Sequence, residues 1–233
     1  MISIIIPTYN EKHNIKVLIR GIQTQLKNQT IEIIVVDDNS PDKTYLEVKK
    51  IQKQNKNIKL LIRKKETGLT SAIQDGINLA KGKYVAWLDA DMSHPPKILN
   101  KMVKEIKKND VVIASRYIKN GQDIRREKLQ VILSQVINKV ASLLLYKKVT
   151  DYTSGFIVIK KNIFDSYDLE GDYGEYFINL MSFLCKNNYT IKEEPFINIS
   201  REQGISKTAI NLLGFAKRGK KYILAIIKNF ILK

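Results

Sequence analysis

An α/β domain on a doubly wound, mostly parallel sheet is what this sequence predicts, and three observations predict it. Short runs rich in Ile and Val alternate with segments of helical apolar spacing across the first half. The length of 233 residues suits one such domain, or a domain with an extension. Polar and acidic residues gather directly after the apolar runs, where the carboxyl ends of parallel strands would lie.

Ile2 to Ile6 reads as the first strand, and Asn14 to Leu26 as a helix with apolar positions at Ile15, Leu18, Ile19 and Ile22. Ile31 to Val36 is a second strand. Ser40-Pro41-Asp42 then resembles a helix start, with a capping residue and a proline in the first turn. Ile58 to Ile62 makes a third strand and Thr70 to Ala80 a helix. Lys81-Gly82-Lys83 bounds a fourth strand, Tyr84 to Leu88, and Pro95-Pro96 opens a helix running to about Lys107. Val111 to Ala114 is a fifth strand. Past a polar, basic loop at 120–126, Leu129 to Leu145 carries apolar residues at 129, 132, 133, 136, 137, 140 and 144, a helical stripe. A further strand ends at Ile159, Glu175 to Cys185 reads as helix, and Tyr189 to Ile199 as extended chain. The tail, Thr208 to Lys233, is basic and helical in pattern.

Lys and Arg total 40 against 23 Asp and Glu, a net charge of +17. Such an excess favours polyanionic partners (nucleic acid, an anionic membrane or phosphorylated substrates), unless the lysines are a solvated shell. The single cysteine, Cys185, excludes an internal disulfide, and its apolar helical setting fits core packing better than catalysis. Met1 leads straight into a strand, so no signal peptide is expected. No apolar run approaches the roughly 20 residues that span a bilayer, so a soluble or peripheral protein is expected.

Four loops are expected on one rim: 7–11 after the first strand, Asp37-Asp38-Asn39-Ser40 after the second, Asp89-Ala90-Asp91 after the fourth and Ser115-Arg116-Tyr117 after the fifth. Two carboxylates one residue apart at a strand's end suit a hard divalent cation such as Mg²⁺ or Mn²⁺, which takes oxygen ligands and shares its shell with substrate phosphates.

The series I-P-T-Y-N-E, V-V-D-D-N-S-P-D, G-L-T-S-A-I, D-A-D-M-S-H-P-P, S-R-Y, D-Y-T-S-G-F and R-E-Q-G-I-S-K resembles the family 2 glycosyltransferases. Within them it is most similar to the dolichol-phosphate mannose synthases, which glycosylate polyprenyl phosphates. The likeness runs from Ile2 to about Lys207, with the motifs in order. It implies a GT-A nucleotide-sugar-binding fold, inverting transfer from a nucleotide-diphosphate sugar, and a polyprenyl monophosphate acceptor.

By that resemblance Pro7, Tyr9 and Glu11 line the base and ribose pocket, with Asp38 bonding the base and Asp37 serving structure. An aromatic face supports a base and a carboxylate accepts from its N–H groups. The weaker alternative for Tyr9 is a loop aromatic capping the sheet edge. Asp89 and Asp91 carry the donor diphosphate through the metal, with Ser93 in a position that offers a further ligand; Asp89 could instead touch the ribose or sugar. His94, beside two prolines, reads better as structural. Gly68 and Leu69 match a loop near the nucleotide. Arg201, Gly204 and Lys207 match an element that folds over the diphosphate, where cations stabilise the leaving group and exclude water.

A phosphate monoester is largely dianionic at neutral pH, so the acceptor needs no dedicated base; it needs cations. Arg116 is the expected catalytic and acceptor-phosphate residue, with Ser134. Relatives place a basic residue one turn before that serine, where this chain has Gln130. Arg126 is expected to substitute, with Arg125 as competitor. Asp151, Thr153, Ser154 and Gly155 are expected to shape the floor under the sugar, and Asn179 stands where relatives often carry glutamate.

The expected organisation is a catalytic domain at 1–207 and a membrane-interfacial tail at 208–233. The stripe at 129–144 and the tail, with Lys217, Arg218, Lys220 and Lys221, would lie on the bilayer's cytoplasmic face unless they simply pack on the sheet. A membrane-anchoring partner subunit is an open expectation. GDP-mannose is the expected donor, with UDP-glucose the alternative. A basic nucleic-acid-binding protein is a different reading, opposed by the acidic rim, so no nucleic acid partner is expected. An inactive scaffold is opposed by Asp89, Asp91, Arg201 and Lys207.

Overall fold

Strands that read as unbroken apolar runs need cover on both faces, and the sheet has it. The computed structural model describes residues 1–65, 67–200 and 212–233. β1 (Ile2–Thr8), α1 (Ile15–Gln25), β2 (Ile31–Asp37), α2 (Thr44–Gln54), β3 (Ile58–Ile62), α3 (Leu69–Leu79) and β4 (Tyr84–Trp87) alternate strictly. A short 3₁₀ turn, Pro96–Ile98, leads into α4 (Leu99–Glu105), β5 (Val111–Ser115), β6 (Gln122–Asp123), α5 (Lys128–Leu144) and β7 (Ile157–Lys160). α6 (Glu175–Lys186), β8 (Ile191–Pro195), β9 (Ile197–Asn198) and α7 (Leu212–Ile231) follow.

The main sheet has seven strands in the order β3-β2-β1-β4-β7-β5-β8, and β6 pairs with β9 apart from it. Every pairing in the main sheet is parallel except those of β7, which runs antiparallel between β4 and β5. Along β1 the period of two divides the core: Ile5 faces one layer, with Ile34, Val36 and Trp87, while Ile2, Ile4 and Ile6 face the other, with Ile15, Leu18 and Ile22 of α1. Each such buried side chain contributes about 2 kcal/mol from leaving water. A Cβ on Gly76 of α3 would lie 2.4 Å from Ile5 Cγ2, so glycine lets that helix sit close on β1.

Two helix starts differ from expectation. α2 begins at Thr44, because Asp42 Oδ1 accepts from the Thr44 N–H at 2.9 Å and from its hydroxyl at 2.6 Å, holding Pro41-Asp42 in the preceding turn. The helix expected from Pro95 opens instead as the 3₁₀ turn, the Ile98 N–H bonding the Pro95 carbonyl at 3.4 Å, and α4 begins only at Leu99. No described helix is long and apolar enough to cross a membrane.

Candidate active site

The carboxyl ends of β1, β2, β4 and β5 share one rim, and the antiparallel sense of β7 brings its leading loop there too. Over this rim lies a cavity of about 950 Å³. Pro7, Tyr9, Glu11, Asp38, Gly68, Leu69, Asp89, Asp91, Ser93, Arg116, Ser134 and Thr153 all reach its wall. Arg201, Gly204 and Lys207 lie outside the described residues.

The adjacent aspartates at the end of β2 point differently. Asp37 is fully buried and accepts from the Thr8 hydroxyl at 2.8 Å, the Ser40 N–H at 2.8 Å and the Ser40 hydroxyl at 2.7 Å. It ties the first two rim loops together. Asp38 reaches the cavity, held by Arg63 Nε at 2.7 Å and by the Gly68 N–H at 2.8 Å. Gly68 has φ of 136°, a conformation that only glycine adopts readily, and this aims its N–H at the carboxylate. Arg63 also donates to the Ser71 hydroxyl at 2.8 Å and the Gly68 carbonyl at 2.8 Å. Sequence reading passed over Arg63. Its place directly after β3, on the same rim, was the signal that could have found it.

Below β4, Trp87 is buried and its indole N–H donates to the Tyr176 hydroxyl at 2.8 Å, fixing the strand to α6. Burial keeps the Tyr176 phenol above its ordinary range and protonated. The acidic turn above follows rigidly. The Asp89 N–H donates to His94 Nδ1 at 3.0 Å, and the Ser93 N–H to Asp91 Oδ1 at 3.0 Å. Met92 turns the chain at φ 68°, a sparsely populated region for a residue with a Cβ. His94 is buried, stacked on Phe156 at 5.1 Å and edge-on to Phe196 at 5.6 Å. Its work is to brace the loop. Among the described residues no group of three or more His, Cys, Asp or Glu could cage a metal by itself.

Arg116, expected as the catalytic and acceptor-phosphate residue, is held by a dense set of partners. It is buried, and donates to Asp151 through Nε at 2.8 Å and Nη2 at 2.7 Å, to Asp123 at 3.3 Å and to the Thr153 hydroxyl at 2.8 Å. Burial alone would lower its pKa, but the charge of Asp151 outweighs that and fixes it as a cation. A guanidinium so engaged cross-links the rim while still reaching the cavity wall. Arg126 has an exposed side chain that does not line this cavity, and its backbone N–H bonds Ser200 Oγ at 2.8 Å. Arg125 is the arginine on the wall, gripped side-on by Asp123 at 2.8 and 2.7 Å, which leaves the outer edge of its fork for another partner. Ser134 accepts from the Tyr117 hydroxyl at 2.9 Å. Asp151 works from beneath the floor, through Arg116, while Asn179 of α6 bonds Asn229 of the tail at 2.7 Å, away from the cavity.

The far end of the cavity is apolar. Leu133, Val136, Ile137 and Val140 of α5 face Tyr222, Ile223 and Ile226 of α7 across it. The tail helix is seated by Ala225 and Ile226, both buried, and by the ion pairs Lys228–Glu170 at 2.7 Å and Lys221–Asp172. The apolar seat does more than the exposed pairs. Its other face stays in the open, with Leu224, Ile227, Phe230 and Ile231 about half exposed or more.

A glycosyl transferase family 2 model matches residues 3–168. The chain belongs to that family. Among its relatives is a dolichol-phosphate mannosyltransferase of Pyrococcus furiosus, 35% identical over 210 residues, covering 88% of this chain and 58% of that protein. Another is the Saccharomyces cerevisiae dolichol-phosphate mannosyltransferase, 30% identical over 216 residues, covering 88% of this chain and 80% of that one. This chain thus spans a little over half of the archaeal relative's length and most of the yeast protein's. In fold it matches the crystal structure of glucosyl-3-phosphoglycerate synthase from Mycobacterium tuberculosis with Mn²⁺, UDP and phosphoglyceric acid. The TM-score is 0.73 at 15% identity, over 99% of this chain and 78% of that one. The same synthase is also solved with Mg²⁺ and UDP, at a TM-score of 0.72. The family 2 enzyme and its sugar-nucleotide fold are therefore as the motif series implied.

Proposed function

We propose that this glycosyltransferase moves mannose from GDP-mannose to the phosphate of a polyprenyl (dolichyl) lipid, with inversion, at the cytoplasmic face of a membrane. The observation that supports it is the two-ended cavity: a rim of carboxylates and hydroxyls opens without a break into an apolar cleft between α5 and α7. An acceptor with an anionic head and a hydrocarbon chain matches that gradient. The names of the relatives agree with it.

Asp38, locked by Arg63 and Gly68, presents a carboxylate to the donor's base beside Pro7 and Tyr9. Asp89 and Asp91, with Ser93 beside them, are hard oxygen donors that fit Mg²⁺ or Mn²⁺, and two carboxylates suit an ion whose remaining shell comes from phosphates. When bound, such an ion neutralises charge on the departing nucleoside diphosphate. Arg201 and Lys207 belong, on the family resemblance, with that same leaving group. The acceptor phosphate oxygen forms the new bond to the anomeric carbon as the bond to the donor diphosphate breaks. Its dianion needs no proton removed. Arg125 and Ser134 are the wall residues suited to hold it, with Arg116 fixing the floor through Asp151 and Thr153.

Helix α5 exposes Leu129, Ile132, Val136, Val140 and Leu143 along one stripe, and α7 adds its open apolar face, so the cleft would meet the bilayer surface directly. UDP-glucose is the second reading, because the solved relatives carry UDP. Incubating the protein with polyprenyl phosphate, each sugar nucleotide and Mg²⁺ or Mn²⁺, with mass spectrometry of the lipid product, decides it. Mannosyl lipid is expected. Product from UDP-glucose alone would select the second reading, and none from any donor would overturn both.

A further inference from the structure

A second, smaller cavity of about 470 Å³ opens on the opposite flank of α5, closed off from the active site by the helix itself. Gln135, Lys139 and Ser142 present one column of α5 to it, at i, i+4 and i+7. Lys147, from the loop after α5, supplies a second cation, and among the described residues no Asp or Glu lines the space. Asn138 also lines it and is 1% exposed. Its amide nitrogen is committed to the Ser134 carbonyl and the Thr153 hydroxyl, both at 2.7 Å. Its amide oxygen, Oδ1, is buried with no hydrogen-bond partner among the described residues.

A buried acceptor without a donor is costly, and it marks what a ligand of this cavity can supply. A bare phosphate would suit the lysines and leave Oδ1 unsatisfied. A phosphodiester that carries hydroxyl groups satisfies both. The space is far larger than a single water requires and within the range of small-molecule sites. Leu143 settles where such a ligand comes from: it lines the cavity and also belongs to the exposed apolar stripe of α5, 67% exposed. The mouth therefore sits beside the surface that would meet hydrocarbon, at headgroup depth.

We infer that this flank of α5 is a binding site for the hydroxylated anionic headgroup of a bilayer phospholipid, of the phosphatidylglycerol kind, separate from the acceptor lipid's place. Lys139 and Lys147 hold the phosphate, and a headgroup hydroxyl donates to Asn138 Oδ1. The inference rests on the proposed membrane contact of α5. Its site also adjoins the catalytic floor, since Asn138 and Tyr117, which both line it, bond Ser134 and its backbone from behind.

The test is co-sedimentation of the whole chain with phosphatidylcholine vesicles, alone or carrying equal fractions of phosphatidylglycerol or phosphatidic acid. Binding is expected to rise more with phosphatidylglycerol than with phosphatidic acid, whose headgroup has charge but no glycerol hydroxyls. Lys139→Ala/Lys147→Ala should lose about tenfold of the phosphatidylglycerol-dependent affinity. Lys128→Ala/Lys148→Ala, an equal loss of charge at the two ends of α5, should lose about threefold or less. Ser142→Trp fills the cavity without changing charge and should abolish the preference between the two lipids. Equal response to both lipids in the unaltered chain, or equal losses from the two lysine pairs, would overturn the site in favour of diffuse attraction. So would an intact preference in a folded Ser142→Trp protein. Transfer to a short-chain acceptor in detergent should persist in all three variants. A chain that transfers nothing there defeats the proposed function, whereas lost headgroup preference alone defeats only this site.

Discussion

The two ends of the main cavity are built on opposite principles. At the carboxylate end, loops from β1, β2 and β4 hold polar side chains that fix one another: Asp37 on Thr8 and Ser40, Asp38 on Arg63 and Gly68, Asp91 on the Ser93 N–H. At the other end two helices distant in sequence, α5 and α7, face each other with apolar side chains. The difference suits the proposed function, since hydrogen bonds fix a charged group to a fraction of an ångström, whereas an apolar cleft lets a chain of methylenes slide.

Substitutions can break or sharpen that contrast. Asp91→Ala should be the most severe for function, lowering transfer by about 10³-fold or more while circular dichroism stays unchanged, since the side chain sits on the rim and not in the core. Unimpaired transfer would remove Asp91 from the reaction. Arg63→Ala should both loosen nucleotide binding and destabilise the fold by roughly 3 kcal/mol, because it strands the mostly buried Asp38 carboxylate. A double-mutant cycle with Asp38→Asn, read by nucleotide titration, should show strong coupling; additive losses would reduce Arg63 to packing.

Val136→Asp addresses the other end. It should raise KM for a long polyprenyl phosphate by about tenfold, the worth of one small apolar side chain, while donor KM and a short acceptor's KM hold steady. Equal effects on both acceptors would mean that the cleft does not read chain length.

Asp110, on the opposite edge of the sheet, is a control outside both ends. Burial raises its pKa, but Lys160 at 2.7 Å and Thr190 more than offset that and bring it down to about 2. A depressed carboxylate stabilises the fold above its unfolded value near 4, and that contribution fades as pH falls toward 2. Allowing for its partial exposure, Asp110→Asn should remove about 1 kcal/mol at neutral pH and flatten acid unfolding between pH 4 and 2, with transfer unaltered.

The carboxylate end was the legible one. A strand followed by an acidic or aromatic turn marks its position locally, so the rim that Asp38, Asp89 and Asp91 share could be placed from the sequence. The alternation also foretold the sheet, including its mostly parallel sense. What escaped was relational. Arg63 looked like one more basic residue among 40 Lys and Arg, and only the approach of β3 to β2 makes it the keeper of Asp38. The partners of Arg116 were also hidden, because Asp123 and Asp151, one on each side of α5 in the chain, close on it only after folding. Arg125 and Arg126 are neighbours with opposite fates, and a one-residue choice in an irregular loop has no period to reveal it.

The reversed direction of β7 has an evolutionary consequence. Because β5 leaves the rim upward and β7 enters from that same side, everything between them, residues 116–156 with α5, is a detour that departs from and returns to one place. Such an excursion can be lengthened, shortened or exchanged without re-threading the sheet beneath. Swapping that cassette between paralogues is how one sugar-nucleotide platform would diversify toward new recipients while its donor chemistry stays put.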